Sequence, residues 1–509
     1  MTGRLVLAVD VGTSTVKAGT FDGRGELQAA ASAPQTILGS AWGAREHDPA
    51  ATWDALKVAV SSVLGSVVNG QELGAVAITG PRGTFCFIDR DGASTSNFIT
   101  WQDQRAAGVT ADLAGRYDAD RYERVVGMGY TSTSVLPKLI WAQRHNAGLV
   151  ERAFGISTPQ GYVSRRLGAG AEVIDPTVAA HVGLLELRTR QWSQELRGVF
   201  GMEGLLLPAL VATGDVVGST SQFAHRELGL PAGLPIVLAG SDGICSEIGL
   251  GVTAPGQVYA YLGTASAVAG PIPAKQPRRR LRRTGIVRMP GRDRNLDRLL
   301  GLGGAGASAG DWAVRGLQIG GIERLDQLAA ESPPGARGVL FAPTLAGASA
   351  PNPSPMALGC FVGLSLAHGL EDLARAVLEG VAIELSTMLG AASSFGLQAQ
   401  ELRLTGGGAR SSVWRQVIAD VFQLPVLTCA GRESGLRGAA ISAFAATSGQ
   451  SVEALAAQWS VGHDVTEPTP ALSGRYDRVA ANYRAVRKAF AGGGVDQALF
   501  DTAAWLLQD

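Results

Sequence analysis

The sequence lacks paired cysteines and any excess of one charge. No Cys-x-x-Cys spacing occurs among its four cysteines, which are Cys86, Cys245, Cys360 and Cys429. Such scattered cysteines argue against a disulfide framework and indicate a reducing, cytoplasmic setting. Lysine plus arginine number 44, as do aspartate plus glutamate, so net charge attracts neither nucleic acid nor a membrane surface. We therefore expect no nucleic-acid or membrane partner.

Signal-peptide, membrane-spanning and common metal-site patterns are missing as well. Asp10 interrupts the apolar start of the chain, and no uninterrupted apolar run approaches membrane-spanning length. The six histidines have no metal-ligand spacing, and the Walker phosphate-loop pattern is absent. These absences predict a soluble, cytoplasmic protein in which Mg²⁺ carried with a nucleotide is the only metal implied.

The length and the order of apolar runs predict an α/β protein with two domains. At 509 residues the chain exceeds what one hydrophobic core usually serves. Two similar strand–turn–strand segments, at 5–21 and 258–269, each contain a Gly-Thr turn and indicate two related domains, which we place at 1–250 and 251–509. Apolar residues at helical spacing over 370–388, and again after Ser434, predict helices.

The first strand–turn–strand segment contains the parts of a phosphate-binding turn. Asp10 ends a strand and is followed by Gly12, Thr13 and Ser14, and Lys17 returns along the next strand. Gly12 lets the backbone approach a phosphate, the hydroxyl and ammonium groups can donate hydrogen bonds, and Asp10 could bind Mg²⁺ directly or through water. The alternative is an ordinary hairpin turn with an aspartate at its corner.

A second carboxylate follows a strand in the middle of the chain. Residues 240–243 read Gly-Ser-Asp-Gly and come directly after an apolar run. The flanking glycines leave Asp242 unobstructed, so that it can approach a small polar ligand as a base. Further along, Gly263 and Thr264 form a turn whose backbone N–H groups can face a phosphate.

Three consecutive glycines mark a candidate nucleotide shelf. Gly406, Gly407 and Gly408 connect a predicted strand to an amphipathic helix. A turn without side chains can accommodate a flat base or a ribose, and the helix N-terminus beside it favours an anion. The alternative, a merely flexible turn, would not require three glycines in succession.

Polar and aromatic residues gather where two further predicted strands end. Arg82 follows one strand, and Trp101, Asp103 and Arg105 follow the next. An indole face suits the C–H surface of a sugar, and charged groups suit its hydroxyls. The alternative is a local salt bridge between Asp103 and Arg105, which for Arg105 we weigh equally with a binding role.

An arginine-rich stretch remains outside these motifs. Eight arginines lie between 278 and 294, with only Asp293 opposing them. We interpret the stretch as a solvated loop and edge strand whose charge prevents aggregation. The alternative is attraction of an anionic ligand, whereas nucleic-acid binding would call for interleaved aromatic residues, which are absent.

Taken in order, these motifs resemble the FGGY family of carbohydrate kinases, which includes xylulokinase and glycerol kinase. Residues 359–379 fit the family's long C-terminal signature throughout, and the earlier signature around Lys138 and Trp141 is matched in part. The resemblance covers nearly the whole chain. It implies two actin-like domains of the ribonuclease-H type with a cleft between them, the first carrying most of the sugar site and the second most of the nucleotide site.

The same resemblance implies an ATP-dependent kinase that uses Mg²⁺. Asp242 would be the general base toward the sugar hydroxyl, and Asp10 would be the catalytic carboxylate at the metal and phosphate end. Nucleotide contacts would come from Gly12, Thr13, Ser14, Lys17, Gly263, Thr264, Gly406, Gly407 and Gly408. Substrate contacts would come from Arg82, Trp101, Asp103 and Asp242. A homodimer is left open.

The substrate is defined less sharply. Gly83 stands where glycerol kinase carries a substrate-binding Glu and Gly243 where it carries a Gln, and the Met-His pair and the Asn typical of xylulokinases are also missing. We interpret the small residues at 83 and 243 as room for a different or larger substrate, and expect a pentulose such as xylulose. Alternatives are glycerol, a tetritol or another ketose or polyol, an ATPase related to actin or heat-shock chaperones, and a non-catalytic sugar sensor.

Overall fold

The computed structural model describes residues 4–39, 43–66, 72–277, 281, 284–348, 350–354, 356–428, 433–460, 464–492 and 494. The chain divides into two compact units. The first comprises residues up to Thr253 with 289–297 and 431–461, and the second comprises 254–288, 298–430 and the residues from 462 onward. The predicted contiguous domains, 1–250 and 251–509, therefore need correction, because two segments from the second half of the sequence pack in the first unit.

A mixed sheet of six strands forms the centre of the first unit as far as it is described. The strands of this unit are β1 (Arg4–Val11), β2 (Thr15–Phe21), β3 (Leu27–Pro34), β4 (Leu38–Gly39), β5 (Arg45–His47), β6 (Glu72–Gly80), β7 (Cys86–Ile88), β8 (Phe98–Ile99), β9 (Gly155–Ser157), β10 (Val173–Ile174), β11 (Leu185–Glu186), β12 (Gln191–Trp192), β13 (Ala209–Leu210), β14 (Val216–Ser219) and β15 (Pro235–Ser241). The central sheet has the order β14-β15-β6-β1-β2-β3. β1 is antiparallel to β2 and parallel to β6, and β6 is parallel to β15. The predicted hairpin at 5–21 is confirmed as β1 and β2.

Helices cover both faces of this sheet. The helices of the first unit are α1 (Pro49–Ser66), α2 (Val109–Arg116), α3 (Ala119–Val126), α4 (Val135–His145), α5 (Ala147–Arg152), α6 (Pro159–Leu167), α7 (Pro176–Ala179), α8 (Gln194–Phe200), α9 (Gln222–Leu228), α10 (Asp242–Gly249), α15 (Ser434–Ser448) and α16 (Val452–Trp459). Leu7 of β1 belongs to a core shared with α1, and the adjacent Ala8 to a core shared with α15. Because alternate side chains of a strand face opposite ways, β1 is buried on both faces, as its continuous apolar run predicts. α15 joins the first unit through this second core.

The second unit is built around a seven-stranded sheet in its described part. Its strands are β16 (Gly256–Leu262), β17 (Ser266–Pro273), β18 (Val287–Pro290), β19 (Leu296–Gly303), β20 (Leu340–Ala342), β21 (Cys360–Val362), β22 (Ala399–Thr405), β23 (Val426–Thr428) and β24 (Asp464–Thr466), and its helices are α11 (Ala307–Gly316), α12 (Ile322–Glu331), α13 (Leu370–Ser393), α14 (Ser412–Phe422) and α17 (Ser473–Gly492). The sheet order is β18-β19-β17-β16-β22-β23-β24. β16 and β17 form the second predicted hairpin, and β22 lies parallel to β16.

The long helix α13 is the core helix that its apolar spacing predicts. Val377, Val381, Leu385 and Met388 are fully buried in the main core of the second unit. Among the described residues α13 alone is long and apolar enough to cross a membrane, but 67% of its most apolar window is buried inside the protein. That burial is what a helix packed within a protein core requires.

Candidate active site

Three parallel strands of the first unit end at one edge of the sheet, and both candidate carboxylates lie there. Thr79 of β6 lies opposite Asp10 of β1 and opposite Gly240 of β15 in the strand register. The Thr79 hydroxyl donates a hydrogen bond of 2.8 Å to the Gly240 carbonyl. Asp242 follows as the first residue of α10. The sheet therefore brings together two carboxylates that are far apart in sequence, because the carboxyl ends of adjacent parallel strands share one edge.

Asp10 is the less accessible carboxylate of the pair. Its Oδ1 atom is inaccessible to solvent and has no hydrogen-bond partner among the described residues. Burial, followed by the charge of Asp242, raises the pKa of Asp10 from 3.8 to about 7, while Lys17 opposes this rise and Glu433 adds to it. A buried carboxylate oxygen without a donor is costly unless a proton or a cation binds it. Asp10 therefore fits the oxygen donors that hard divalent cations prefer.

Asp242 is the accessible carboxylate. Its side chain keeps 49% of its surface exposed, and its Oδ1 atom lies 3.9 Å from the Nε atom of Arg82. The backbone N–H of Gly243 donates a hydrogen bond of 2.6 Å to the same Oδ1. Asp242 therefore stands at the N-terminus of a helix, with a guanidinium nearby and with part of its carboxylate open to a ligand.

α10 is held against α15 by near contact of the two backbones. A Cβ atom added at Gly438 of α15 would lie 1.7 Å from the carbonyl oxygen of Cys245 in α10, so that position cannot carry a side chain without displacing a helix. α10 begins with Asp242, and a Cβ atom at Gly435 of α15 would lie 3.8 Å from Asp10 Oδ2. This helix pair therefore helps to fix both carboxylates.

Lys17 lies beside Asp10 in the strand register but is engaged by an acidic residue. Its Nζ atom is 2.9 Å from the Oε2 atom of Glu433, and both side chains remain partly exposed. Glu433 immediately precedes α15 and is separated from Lys17 by 416 positions in the sequence. Glu433 was not predicted as a site residue, because no local sequence pattern connects residues so far apart.

The predicted phosphate turn is a close-packed hairpin turn. A Cβ atom at Gly12 would lie 2.7 Å from the carbonyl oxygen of Thr15, which explains why glycine stands there. The side-chain amide of Gln35 donates a hydrogen bond to the Gly12 carbonyl. Ser14 is exposed at the tip of the turn.

Trp101 joins the predicted sugar cluster to this turn. Its indole N–H donates a hydrogen bond of 3.0 Å to the Thr13 hydroxyl, and its backbone N–H donates one of 3.1 Å to the Thr84 hydroxyl. The residue remains 39% exposed. A small pocket at this junction is lined by residues that include Gly12, Thr13, Pro81 and Thr84. The structure therefore brings the predicted phosphate turn and part of the predicted sugar cluster together.

Gly83 does not open space for a larger substrate, contrary to our expectation. Its φ angle is +73°, and an added Cβ atom would lie 2.2 Å from the carbonyl oxygen of Thr133 and 3.3 Å from the Cβ atom of Trp101. The neighbouring backbone fills the space that a side chain would take. Lys138, which the sequence analysis noted only as part of a signature, donates hydrogen bonds to the carbonyls of both Gly83 and Thr133.

Asp103 is buried in the local ion pair that was our alternative to a binding role. Its carboxylate accepts hydrogen bonds from the backbone N–H groups of Arg45 and Arg105 and from the Arg105 Nε atom, at 2.9–3.0 Å. Arg105 also pairs with Glu46. Asp103 is only 1% exposed, so in this structure its carboxylate accepts hydrogen bonds from backbone N–H groups and from Arg105.

In the second unit, the predicted nucleotide residues follow two neighbouring parallel strands. Gly263 and Thr264 come after β16, and Gly406 comes after β22. Gly406 has a φ angle of +99°, and a Cβ atom there would lie 2.4 Å from the carbonyl oxygen of Leu262. Gly407, by contrast, has open space where a Cβ atom would be. The structure thus brings the Gly-Thr turn and the triple glycine together at one edge of this sheet.

Both parts of the chain match models of one family. Residues 5–249 match the N-terminal domain of the FGGY family of carbohydrate kinases, and residues 297–447 match its C-terminal domain. The chain belongs to the FGGY family of carbohydrate kinases. It is therefore an enzyme that phosphorylates a sugar or polyol, and both the family resemblance and the actin-like α/β fold predicted from it are confirmed.

Relatives of this FGGY kinase carry different substrate names. The xylulose kinase of Escherichia coli K12 is 29% identical over 82% of this chain and 84% of its own length. The glycerol kinase of Janthinobacterium sp. strain Marseille is also 29% identical, over 96% of this chain and 99% of its own. Among solved structures, the ligand-bound xylulose kinase of Lactobacillus acidophilus is 25% identical and has a TM-score of 0.89. The match covers 96% of this chain and 98% of that protein.

A further glycine-rich turn in this FGGY kinase escaped the sequence analysis. The backbone N–H groups of Gly306 and Ala307, at the start of α11, donate hydrogen bonds to the carbonyls of Thr264 and Gly263. A Cβ atom at Gly306 would lie 2.4 Å from the carbonyl oxygen of Ala265. The pattern Gly-Gly-Ala-Gly at 303–306 runs from the last residue of β19 to the residue before α11, and it is a glycine-rich signal of the same kind as the triple glycine.

The arginine-rich stretch is only partly described, since Arg278, Arg279, Arg280, Arg282 and Arg283 lie outside the described residues. Arg288 is buried and donates hydrogen bonds to the carbonyls of Ala274 and Gln276. Arg292 pairs with Glu453 as well as with Asp293. The interpretation as a solvated loop and edge strand is therefore wrong for Arg288, which is buried and stabilises a turn within the second unit.

Proposed function

We propose that this FGGY kinase transfers a phosphoryl group from ATP to a hydroxyl of a pentulose such as xylulose. The observation that carries the proposal is the pair of unlike carboxylates at one sheet edge, Asp242 accessible and Asp10 less so. Two carboxylates that lie in unlike environments at one site are typical of divided catalytic roles. The pentulose is favoured because xylulose kinases recur among both the relatives and the structural neighbours.

Asp242 is the residue that we assign as general base. A substrate hydroxyl hydrogen-bonded to its carboxylate would pass its proton to Asp242 while the hydroxyl oxygen attacks the γ-phosphorus of ATP, whose bond to the bridging oxygen breaks so that ADP leaves. The Arg82 guanidinium and the Gly243 N–H group, both close to Oδ1, hold the carboxylate in place. General-base catalysis typically contributes about 10²–10⁴-fold to the rate.

Asp10 is assigned to the cation that accompanies the nucleotide. Mg²⁺ neutralises charge on the phosphates during phosphoryl transfer. Within the described residues no group of three or more His, Cys, Asp or Glu side chains could bind a metal. Asp10 would therefore share the cation with phosphate oxygens and water, which agrees with the reluctance of Mg²⁺ to lose its hydration shell.

The remaining nucleotide contacts are proposed for the turns of both units. In the first unit the proposed residues are Gly12, Thr13, Ser14 and Lys17, and in the second unit they are Gly263, Thr264 and Gly406–408. Lys17 already has one anionic partner in Glu433. Its ammonium carries three donors, so it can bind a phosphate oxygen while keeping the Glu433 contact.

The substrate end is proposed to consist of Arg82, Trp101 and Asp242. The half-exposed indole offers an apolar face to sugar C–H groups. Asp103 is buried and hydrogen-bonded to Arg105 and to backbone N–H groups, so we do not assign it a sugar contact. Glycerol is disfavoured because Gly83, which stands where glycerol kinase carries a substrate-binding Glu, offers no carboxylate to a glycerol hydroxyl.

Sugar-dependent release of ADP tests the proposal. A coupled assay with ATP and Mg²⁺ would compare xylulose, ribulose, glycerol, erythritol and gluconate at equal concentrations. We expect the highest kcat/KM with a pentulose and the lowest with glycerol. Preference for glycerol or gluconate would refute the pentulose assignment, and ADP release independent of any sugar would refute the assignment of a sugar acceptor altogether. Light scattering on the same preparation would test for a homodimer.

A further inference from the structure

The strongest unassigned feature is a buried lysine behind the proposed substrate end. Lys138 of α4 is 1% exposed. Its Nζ atom donates hydrogen bonds of 3.0 Å to the carbonyl oxygen of Gly83 and 3.2 Å to that of Thr133. One ammonium group therefore connects the loop after β6 with the segment that precedes α4.

The loop that Lys138 contacts carries groups already placed at the site. Arg82, next to Gly83, extends its Nε atom to within 3.9 Å of Asp242 Oδ1. On the other side of Gly83, the Thr84 hydroxyl accepts the backbone N–H of Trp101. A shift of the Gly83 carbonyl would therefore move a guanidinium and an indole together.

The packing around Gly83 makes that carbonyl a sensitive point. Its backbone is squeezed between the Thr133 carbonyl and the Trp101 side chain, and only glycine fits the left-handed conformation there. The carbonyl oxygens of Gly83 and Thr133 both face the same ammonium group, and their like dipoles repel. A nitrogen that donates a hydrogen bond to each oxygen atom offsets that repulsion, which an apolar side chain could not do.

Holding a lysine in this place is costly. Burial lowers the pKa of Lys138 from 10.5 to about 7; the positive charge of Arg105 acts in the same direction, and the negative charge of Asp103 opposes both. A methionine of similar length would fill the volume without the desolvation cost. Buried groups that cost stability next to a candidate site are most simply explained by function.

We propose that Lys138 is a positioning residue for the acceptor sugar, fixing Arg82 and Trp101 relative to Asp242 through the carbonyls of Gly83 and Thr133. The expected change in the KM for the sugar rests on the proposed function, whereas the expected loosening around Gly83 and Thr133 rests on the structure alone. Lys138 touches neither substrate nor nucleotide in this scheme. Its loss should therefore weaken sugar recognition while leaving nucleotide binding intact.

The test compares Lys138→Met and Lys138→Gln with wild type, and with Lys57→Met as a matched control. Lys57 is a partly exposed lysine of α1 that pairs with Asp54. We expect Lys138→Met to raise KM for the sugar about ten- to a hundredfold, the range for a lost charge-assisted hydrogen bond. Lys138→Gln, which keeps one amide donor, should fall between wild type and Lys138→Met. Lys57→Met should match wild type.

Two further readouts separate positioning from simple loss of stability. The affinity for ATP without sugar, measured by calorimetry, should change less than about twofold, and hydrogen exchange in the segments around 81–84 and 131–134 should rise more than elsewhere in the first unit. A sugar KM within about twofold of wild type, or a uniform rise in exchange, would overturn the inference. Wild-type enzyme without sugar-dependent ADP release would instead contradict the proposed function, and hydrogen exchange would still decide on Lys138.

Discussion

Replacing Asp10 by asparagine should stabilise the protein while abolishing its activity. The asparagine side chain keeps the shape of the aspartate but removes a carboxylate whose buried Oδ1 has no partner among the described residues. The folded-state pKa of Asp10 is about 7, compared with 3.8 for an ordinary aspartate. The folded protein therefore binds a proton more tightly than the unfolded chain, so wild-type stability falls as pH rises from about 4 through 7.

The size of the effect follows from the two pKa values. Relative to low pH, where Asp10 is protonated in both states, the titration of Asp10 lowers the free energy of unfolding by about 1.7 kcal/mol at pH 5 and about 4 kcal/mol at pH 8, at 1.36 kcal/mol per pH unit. The advantage of Asp10→Asn over wild type should therefore grow by about 2.5 kcal/mol across this interval. Below about pH 4 Asp10 is mostly protonated in both the folded and the unfolded state, so its contribution to the unfolding free energy no longer changes with pH.

Equilibrium urea unfolding of both proteins at several pH values between about 5 and 8, without nucleotide or divalent cation, measures this difference. Turnover with ATP, Mg²⁺ and the preferred sugar should fall below detection in Asp10→Asn. A stability difference that stays constant with pH would refute the argument that Asp10 is ionised at a cost. Retained turnover would refute its place at the phosphate end.

Three further changes test other parts of the site. Asp242→Asn should lower kcat by about 10²–10⁴-fold with little change in ATP affinity, and calorimetry showing a loss of ATP binding instead would contradict the base assignment. Gly438→Ala places a Cβ atom 1.7 Å from the Cys245 carbonyl. We therefore expect the variant to lose about 1–3 kcal/mol of unfolding free energy and to have a reduced kcat. Gly449→Ala, at an open left-handed position, is the comparison for backbone strain alone. The pKa of Lys138 is lowered to about 7, so the folded protein binds fewer protons than the unfolded chain. The unfolding free energy of wild type should therefore rise by about 2 kcal/mol relative to Lys138→Met between pH 7 and pH 9. Curves of unfolding free energy against pH that stay parallel for the two proteins would contradict the burial of Lys138 as a costly charge.

Strands, turns and helices that depend on residues close together in the sequence could be predicted from the sequence. The strand before Asp10 and the hairpin that contains Lys17 are confirmed, as are the strand and helix that flank the triple glycine. These features depend on apolar periodicity and on glycine at tight turns, both of which act over a few residues. Family membership, inferred from the resemblance of such motifs and their order, is confirmed by the family models that match 5–249 and 297–447.

Features that depend on distant contacts could not be predicted in this way. The contiguous second domain was wrong because α15 buries its apolar face in the first unit, and the sequence of an amphipathic helix does not say which sheet it covers. The expectation of open space at Gly83 was wrong because only the fold brings the Thr133 carbonyl to within 2.2 Å of where its Cβ atom would be. The Lys17–Glu433 pair spans 416 positions.

The sequence by itself therefore determined which chemical groups this kinase has and which turns carry them, since local backbone preferences and side-chain chemistry are properties of short segments. The tertiary structure alone decided which of those groups meet. Parallel strands ending at one edge made partners of Asp10 and Asp242. Burial then made them unequal, because the same carboxyl group loses its hydration at one position and keeps it at the other.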